Sequence, residues 1–296
     1  MPEPRIPPPL LLLLPEWQGY GLSAQPADGA RQLAELLFAG QTCVTIDEVD
    51  EVNEIDAPGD EPLRVNDGVL GLTSITTRLE RTMTAVRQAA PQRIVTVGAT
   101  CGVEIAPIAW LNERYAGDLA VLWLDAHGDL NTPASSPSGH FHGMVLRTLL
   151  GQGPAALVRQ IPLPLTTRQV WLVGARDLDP PEVQFVAASG IGQAGDEAFA
   201  EPQTLCDRLK MAGFTRIYVH FDVDVVNPDD FASSLMATAG GPTLELVVRL
   251  LHHLHEQCEV VGFSVVEYCE RRREDRQRLC ESLIRFVPRS VRSRKS

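Results

Sequence analysis

The chain has 296 residues, of which 44% are hydrophobic and 22% are charged. This composition is close to the globular average and excludes wholesale disorder, collagen and long coiled coils, while the length allows burial of roughly three quarters of the unfolded surface. The formal net charge of −12 argues against nucleic acid as the main partner, because a phosphate backbone attracts basic surfaces.

We predict neither membrane association nor secretion. The apolar run Leu10–Leu14 is far shorter than the ~20 residues of a membrane helix, and it lies between Pro7–Pro9 and Pro15. The six cysteines are scattered without a two-residue spacing, which favours a reducing compartment over a disulfide framework. We therefore expect a cytoplasmic protein.

Strand-like apolar runs alternate along the chain with segments of helical periodicity. The predicted strands are Leu10–Leu14, Cys43–Ile46, Arg93–Val97, Leu119–Leu124, Val170–Val173, Gly190–Gln193, Arg216–Asp222 and Val260–Val266. The predicted helices include Ala30–Leu37, Leu79–Ala89, Cys206–Met211, Leu244–His255 and Arg276–Phe286. The nearly continuous hydrophobicity of the strands predicts an α/β fold with a mostly parallel sheet covered on both faces.

We expect a single domain over residues 1–296, because no composition break, long linker or internal repeat divides the chain. It begins with a proline-rich segment and ends with a short basic tail. The basic residues of the tail are Arg289, Arg292, Arg294 and Lys295.

Two acidic motifs follow predicted strands. Asp125, His127 and Asp129 alternate directly after one strand, and Asp222 and Asp224 stand at the end of another. An extended backbone projects alternate side chains to one side, and ligands of parallel sheets collect at the carboxyl ends of the strands. We therefore expect these five side chains to face the same cleft.

Crowded carboxylates at the end of an apolar strand are costly to desolvate unless a cation neutralises them. Each motif alone could be a turn or a solvated strand end, but the two together predict a metal site. Oxygen ligands with one imidazole suit a hard or borderline divalent ion such as manganese.

Five motifs, in order, resemble those of the ureohydrolase family, which includes arginase and agmatinase. They are Asp125–Asn131 (DAHGDLN), Ser138–Met144 (SGHFHGM), Val173–Pro180 (VGARDLDP), Phe221–Asp224 (FDVD) and Gly262–Glu267 (GFSVVE). The resemblance implies a three-layer α/β/α fold with an eight-stranded parallel sheet and a homo-oligomer of three or six subunits. It also implies a binuclear manganese centre whose hydroxide attacks a guanidinium carbon and releases urea.

The resemblance also assigns roles to the metal motifs. Asp125 and Asp222 would bridge two metal ions, His127 and Asp224 would complete one site, and Asp129 would belong to the other. One or two ions are expected, with manganese first.

Further matches concern catalysis and the substrate. His142 resembles the proton-shuttle histidine of the family, and Glu267 resembles the carboxylate that holds the guanidinium group. In arginase, the matching positions of Asn131 and Ser138 contact an α-carboxylate, and the neighbourhood of Asp179 receives an α-amino group. His140 replaces the usual asparagine in this substrate-binding set.

One metal-ligand position departs from the family pattern. The family has a histidine after Gly-Gly-Asp, whereas Gly98–Gly102 reads GATCG and places Cys101 at the histidine position. A thiolate suits zinc, nickel or iron better than manganese, so Cys101 either retunes one site or leaves it empty. An inert, buried cysteine is the alternative.

We thus expect a hydrolase of linear carbon–nitrogen bonds that acts on a small guanidino compound. A catalytically impaired binding or assembly protein is the second reading, favoured by Cys101 and by the altered loop Leu235–Gly241. A single-metal amide hydrolase is the third.

Overall fold

The structure, a computed structural model, describes residues 7–46 and 63–287 and centres on one eight-stranded sheet. The strands are β1 (Leu10–Leu14), β2 (Val44–Thr45), β3 (Val65–Asn66), β4 (Val69–Leu70), β5 (Ile94–Gly98), β6 (Ala120–Leu124), β7 (Val170–Val173), β8 (Gly192–Ala194), β9 (Arg216–Asp222) and β10 (Glu259–Val266). The sheet has the order β2-β1-β5-β10-β9-β6-β7-β8, and all its neighbouring strands are parallel. The predicted α/β fold with an eight-stranded parallel sheet is confirmed.

Helices cover both faces of this sheet. They are α1 (Gln25–Leu37), α2 (Leu72–Ala89), α3 (Ile105–Arg114), α4 (Val145–Leu149), α5 (Ala155–Val158), α6 (Pro180–Ser189), α7 (Asp196–Ala200), α8 (Pro202–Met211), α9 (Leu244–Gln257) and α10 (Arg273–Leu283). Strand β6 shows why there are two layers. Ala120, Leu122 and Leu124 pack into one buried apolar cluster with α1 and α7–α10, whereas Val121 and Trp123 pack into another with α2–α6.

Every predicted strand of the large sheet is present, with ends that differ by two residues or fewer. The antiparallel pair β3–β4 was not predicted, because each strand has only two residues and little hydrophobic pattern. Helix α3 was also missed, since its buried positions run almost continuously instead of forming one stripe.

Within residues 7–46 and 63–287, no helix combines the length and apolarity needed to cross a membrane. The basic tail lies outside the described residues, as do Pro2 and Pro4 of the proline-rich N-terminal segment. The single-domain organisation stays a prediction.

The topology brings four strand ends together. Strands β5, β10, β9 and β6 are consecutive neighbours in the sheet, and the paired residues at their ends include Leu124 with Phe221 and Val266 with Asp222. Asp125 follows β6, Glu267 follows β10, and Cys101 starts a 3₁₀ turn after β5. Parallel register therefore places the predicted site residues at one edge of the sheet.

We expect Leu122→Ala to destabilise the protein by about 2–5 kcal/mol, because Leu122 is fully buried in the central strand β6 and truncation leaves a cavity. The matched control is Leu36→Ala, at a position on α1 that is 48% exposed, which should cost about 0.5 kcal/mol or less. Urea unfolding measures both values. Equal costs would contradict the packing described for β6.

Candidate metal centre

A cluster of buried carboxylates lies where β6 and β9 end. Asp125, Asp129, Asp222 and Asp224 are each no more than 4% exposed. Several backbone amides fix their orientation: the amide of His127 donates to Asp125 Oδ1 at 2.7 Å, and the amide of Asp224 donates to Asp222 Oδ1 at 2.8 Å. The carboxylates are thus held in place by the chain that follows each strand.

His127 joins Asp125 and Asp224 in a first group of potential ligands. Its Nδ1 lies 2.9 Å from Asp224 Oδ2 and 3.3 Å from Asp125 Oδ1. Burial lowers the pKa of His127, but contacts with the two carboxylates raise it by more, so the net shift is upward. The ring of His127 thus lies between two carboxylates, and in its protonated form it would supply the positive charge that a metal ion supplies.

Cys101 lies on the other side of Asp125. Its Sγ is 3.2 Å from Asp222 Oδ2 and 4.0 Å from Asp125 Oδ2. Cys101 belongs to two further groups with ligand atoms within 4.8 Å of one another, one with Asp222 and Glu267, the other with Asp125, Asp129 and His220. The thiol therefore faces the cluster instead of the apolar core alone.

The residues present fit a divalent cation. Burial, followed by the charge of neighbouring carboxylates, raises the pKa of Asp129 and of Asp222 well above the usual range and that of Asp224 to about 7. One oxygen of Asp129 is buried without a hydrogen-bond partner among the described residues. Such crowding is costly unless protons or a cation compensate it.

Two residues of the site adopt left-handed backbone conformations that disfavour non-glycine side chains. Asp129 has a φ of 50° and Glu267 a φ of 60°. Each such residue costs on the order of 1 kcal/mol or more. Surrounding hydrogen bonds retain them: the amide of Leu146 donates to the Asp129 carbonyl at 3.0 Å, and the amide of Leu235 donates to the Glu267 carbonyl at 2.8 Å.

His142 and Glu267 form a pair beside the cluster. His142 Nδ1 lies 3.0 Å from Glu267 Oε1, and the amide of Cys101 donates to the same oxygen at 3.3 Å. Burial lowers the pKa of His142, but the charge of Glu267 and its hydrogen bond raise it, and the net shift is upward. Glu267 is almost fully buried, so its carboxylate is available only to the cavity above the cluster.

The predicted substrate-binding residues are placed at different depths. Asn131 and Asp179 line the cavity and contact each other, with Asn131 Nδ2 donating to Asp179 Oδ2 at 2.8 Å. Ser138 also lines the cavity. His140 lies outside this lining, and its ring centre is 6.0 Å from that of His142. Their roles in binding stay predictions.

Several residues of the site were not singled out from the sequence. Asp177 lines the cavity, and Glu182 supports it by accepting hydrogen bonds from the amides of Leu130 and Asp179, at 2.7 and 2.9 Å. Met236, from the altered loop Leu235–Gly241 noted in the sequence, also lines the cavity. The Asp-Pro-Pro-Glu sequence that starts α6 is a capping box, a signal that could have identified Glu182.

Arg176 holds the loop beyond Asp224 in place. Its guanidinium donates to the backbone carbonyls of Asp224, Val225, Thr238 and Ala239 at 2.9–3.1 Å. Nothing in the sequence pairs Arg176 with these partners, because they lie about fifty to sixty residues further along the chain.

Comparisons with known proteins identify the family of this chain. The family model described as "Arginase family" matches residues 31–278. The chain belongs to the arginase family. The ureohydrolase resemblance carried by the five motifs is thereby confirmed.

Relatives in this arginase family match over part of their length. An arginase of Staphylococcus aureus strain MRSA252 is 31% identical over 179 residues, which are 58% of this chain and 58% of that protein. An arginase of Entamoeba histolytica is 27% identical over 158 residues, 51% of this chain and 52% of that protein. The matched region thus spans little more than half of these relatives.

Solved structures show the same fold over nearly the whole chain. The Entamoeba histolytica arginase in complex with L-ornithine has a TM-score of 0.80 at 19% identity and covers 93% of this chain and 96% of its own. The Bacillus caldovelox arginase has a TM-score of 0.77 at 22% identity, with 96% and 99% covered. A formimidoylglutamase from Bacillus subtilis has a TM-score of 0.67 at 16% identity, with 97% and 88% covered.

We expect the metal-free protein to lose stability as the pH rises from about 4 to about 7. Burial and the charge of Asp125 raise the pKa of Asp224 from 3.8 to about 7, so in this range the folded state holds a proton that the unfolded state has released. Stability falls with pH wherever the folded state binds more protons. A bound cation displaces that proton, so its stabilising effect should grow over the same range.

Thermal unfolding of chelator-treated protein, with and without excess Mn²⁺ at about pH 5.5 and about pH 7.5, measures this effect. The metal-induced rise in Tm should be larger at the higher pH. Asp224→Asn should reduce the difference, whereas Asp207→Asn, on the surface of α8, should leave it unchanged. Equal rises at both pH values in the unaltered protein would contradict the assignment.

Proposed function

We propose that this protein is a metal-dependent hydrolase that cleaves a linear carbon–nitrogen bond of a guanidino compound and releases urea. The observation that carries the proposal is the cavity that holds the His142–Glu267 pair directly beside the buried aspartate cluster. The carboxyl groups that line it belong to Asp125, Asp129, Asp177, Asp179, Glu182, Asp222 and Glu267. No lysine or arginine is among its described lining residues.

Such a cavity selects a cationic substrate. Carboxylates of one sign in a cleft with low-dielectric walls attract a cation and raise its local concentration. A guanidinium group carries paired N–H donors that match a carboxylate in a planar, bidentate geometry. Glu267 is the carboxylate that would receive it, since it is adjacent to Cys101 and Asp222 at the inner end of the cavity.

The chain has carboxylate, imidazole and thiol side chains that would hold cations able to activate water. Asp125, Asp129, Asp222, Asp224 and His127, with Cys101, would hold the ions. When bound, a divalent cation lowers the pKa of a water ligand toward neutrality and so provides a strong nucleophile against a poorly electrophilic guanidinium carbon. The backbone amides around the aspartates orient these ligands before any ion binds.

His142 would move the proton that the leaving amine requires. Its Nδ1 is engaged by Glu267 at 3.0 Å, so Nε2 is the atom that takes and returns a proton. Histidine suits this role because the ordinary pKa of an imidazole lies near neutrality, and the upward shift of the His142 pKa favours the protonated form that donates to the leaving amine. Glu267 would thus bind the guanidinium group and orient the His142 ring.

The outer part of the cavity would bind the rest of the substrate. Asp177 and Asp179 could pair with an amino group, and Asn131 and Ser138 with a carboxylate, which suits an arginine-like amino acid. Met236, 41% exposed, adds an apolar surface at the same site. On the family resemblance we further propose manganese as the ion, a cytoplasmic location and a homo-oligomer of three or six subunits.

Urea release tests the function directly. The full-length protein, reconstituted separately with manganese, zinc, nickel and iron, is incubated with L-arginine, agmatine and shorter guanidino acids. Urea from at least one compound supports the proposal. Ammonia without urea would contradict the proposal, because water would then have replaced a terminal nitrogen of the guanidinium group and left a ureido product. Ligand binding with no product under any condition would favour a catalytically impaired binding protein.

We expect His142→Ala to lower kcat by roughly 10²–10⁴-fold with little change in KM, because proton transfer is lost while Glu267 still binds the substrate. His253→Ala is the control, since His253 is on the surface of α9 and should leave both constants unchanged. Steady-state kinetics measures both variants. An unchanged kcat for His142→Ala would remove the shuttle assignment.

A further inference from the structure

A second buried imidazole faces the metal cluster from below. His220 is on β9, two residues before Asp222, and alternate residues of a strand point to the same side of a sheet. Its ring is fully buried and stacks on Trp123, with 3.5 Å between ring centres and 13° between planes. The mechanism proposed above does not use this histidine.

The two nitrogens of His220 face different partners. Nε2 lies 3.7 Å from Cys101 Sγ and 3.6 Å from Asp125 Oδ2. On the opposite side, Nδ1 lies 3.5 Å from Oε1 of Glu104, a fully buried carboxylate in the turn that Cys101 begins. One nitrogen is therefore directed at the cluster and the other at a buried carboxylate.

This arrangement is typical of histidine ligands of metals. A metal-binding imidazole usually donates its other N–H to a carboxylate or carbonyl, which fixes the tautomer and the orientation of the ring. In the part of the chain that the structure describes, His220 Nδ1 and both carboxylate oxygens of Glu104 are buried without a hydrogen-bond partner, and they face each other at 3.5 Å. Glu104 is thus placed to hold His220 with Nε2 toward the cluster.

The donor atoms are within a few tenths of an ångström of the spacing that a small tetrahedral ion requires, so a modest contraction would complete the site. With bonds of about 2.3 Å to sulfur and 2.0–2.1 Å to nitrogen or oxygen, tetrahedral zinc separates its ligand atoms by about 3.3–3.6 Å. The three separations among Cys101 Sγ, His220 Nε2 and Asp125 Oδ2 are 3.6, 3.7 and 4.0 Å. Asp129, with its unpartnered oxygen, lies within 4.8 Å of all three.

We propose that Cys101, His220, Asp125 and Asp129 bind one zinc ion, with Glu104 as the positioning residue for His220. His220 then supplies from β9 the imidazole that position 101 no longer provides. A donor set with one thiolate and one imidazole favours zinc over manganese. The inference rests on the proposed function only in that both use Cys101, Asp125 and Asp129 as metal ligands.

Cobalt(II) titration of the chelator-treated full-length protein tests the thiolate, because thiolate-bound cobalt has an intense near-ultraviolet charge-transfer band. We expect the band in the unaltered protein and in Cys280→Ser, a buried cysteine of α10 outside the cluster. It should be absent in Cys101→Ser. A missing band in the unaltered protein would overturn the proposal.

Competition titration with a zinc chelator tests the imidazole. We expect His220→Gln to weaken zinc binding at least about 100-fold and Glu104→Gln to weaken it about 10–100-fold, the range for residues that support a ligand. His253→Gln, on the surface, should bind zinc normally. Unchanged affinity in a folded His220→Gln variant would overturn the role of His220.

If the His220 or Glu104 variants fail to fold, the zinc ligands can be identified in the unaltered protein by X-ray measurements at the zinc absorption edge. X-ray absorption with one equivalent of zinc should show one sulfur ligand, and an anomalous difference map should place the ion within bonding distance of Cys101 Sγ and His220 Nε2. An ion bound instead by Asp222 and Glu267, or by His127 and Asp224, would overturn it.

The outcome is independent of the urea assay. Sulfur-bound zinc without urea from any guanidino compound would refute the proposed function and leave this site standing. Urea release by a manganese-loaded protein that shows no sulfur ligation to zinc or cobalt would do the reverse.

Discussion

The main physical constraint on this site is the electrostatic cost of burying several carboxylates at the ends of two adjacent parallel strands. Asp125, Asp129, Asp222 and Asp224 are held together against their mutual repulsion by backbone amides and by the imidazole of His127. Protons can compensate this charge at low pH, but near neutrality a cation does so more completely. Folding and ion binding are therefore linked through the same side chains.

The order of the strands in the sheet determines which side chains meet at this site. Strands β5 and β6 come from the first half of the chain and β9 and β10 from the second, but all four are neighbours in the sheet. Their ends therefore bring together Cys101, Glu267, Asp222 and Asp125. Backbone hydrogen bonds from Leu146 and Leu235 hold the left-handed conformations of Asp129 and Glu267 in place. The charged side chains are therefore already in position before a ligand binds and do not have to rearrange on binding.

Cys101 gives one part of the cluster a thiol where the family pattern has an imidazole. Its thiol faces Asp222 and Asp125 at 3.2 and 4.0 Å, which places it to take part in ion binding, and that role stays a prediction. His220 lies on the far side of the same thiol and is backed by Glu104. The two halves of the centre thus have different donor sets, one dominated by oxygen and one containing sulfur and a buried imidazole.

The sequence by itself determined the strands, the parallel sheet and the residues at the ends of β6 and β9, because hydrophobic runs and the alternation of Asp125, His127 and Asp129 are local patterns. Only the tertiary structure decided which strands are neighbours. It therefore revealed the contacts of His220 with Cys101, 119 residues away, and of Arg176 with the loop around Thr238. Such contacts depend on side chains that meet through space, and a buried histidine within an apolar strand gives no local signal of the partners it will face.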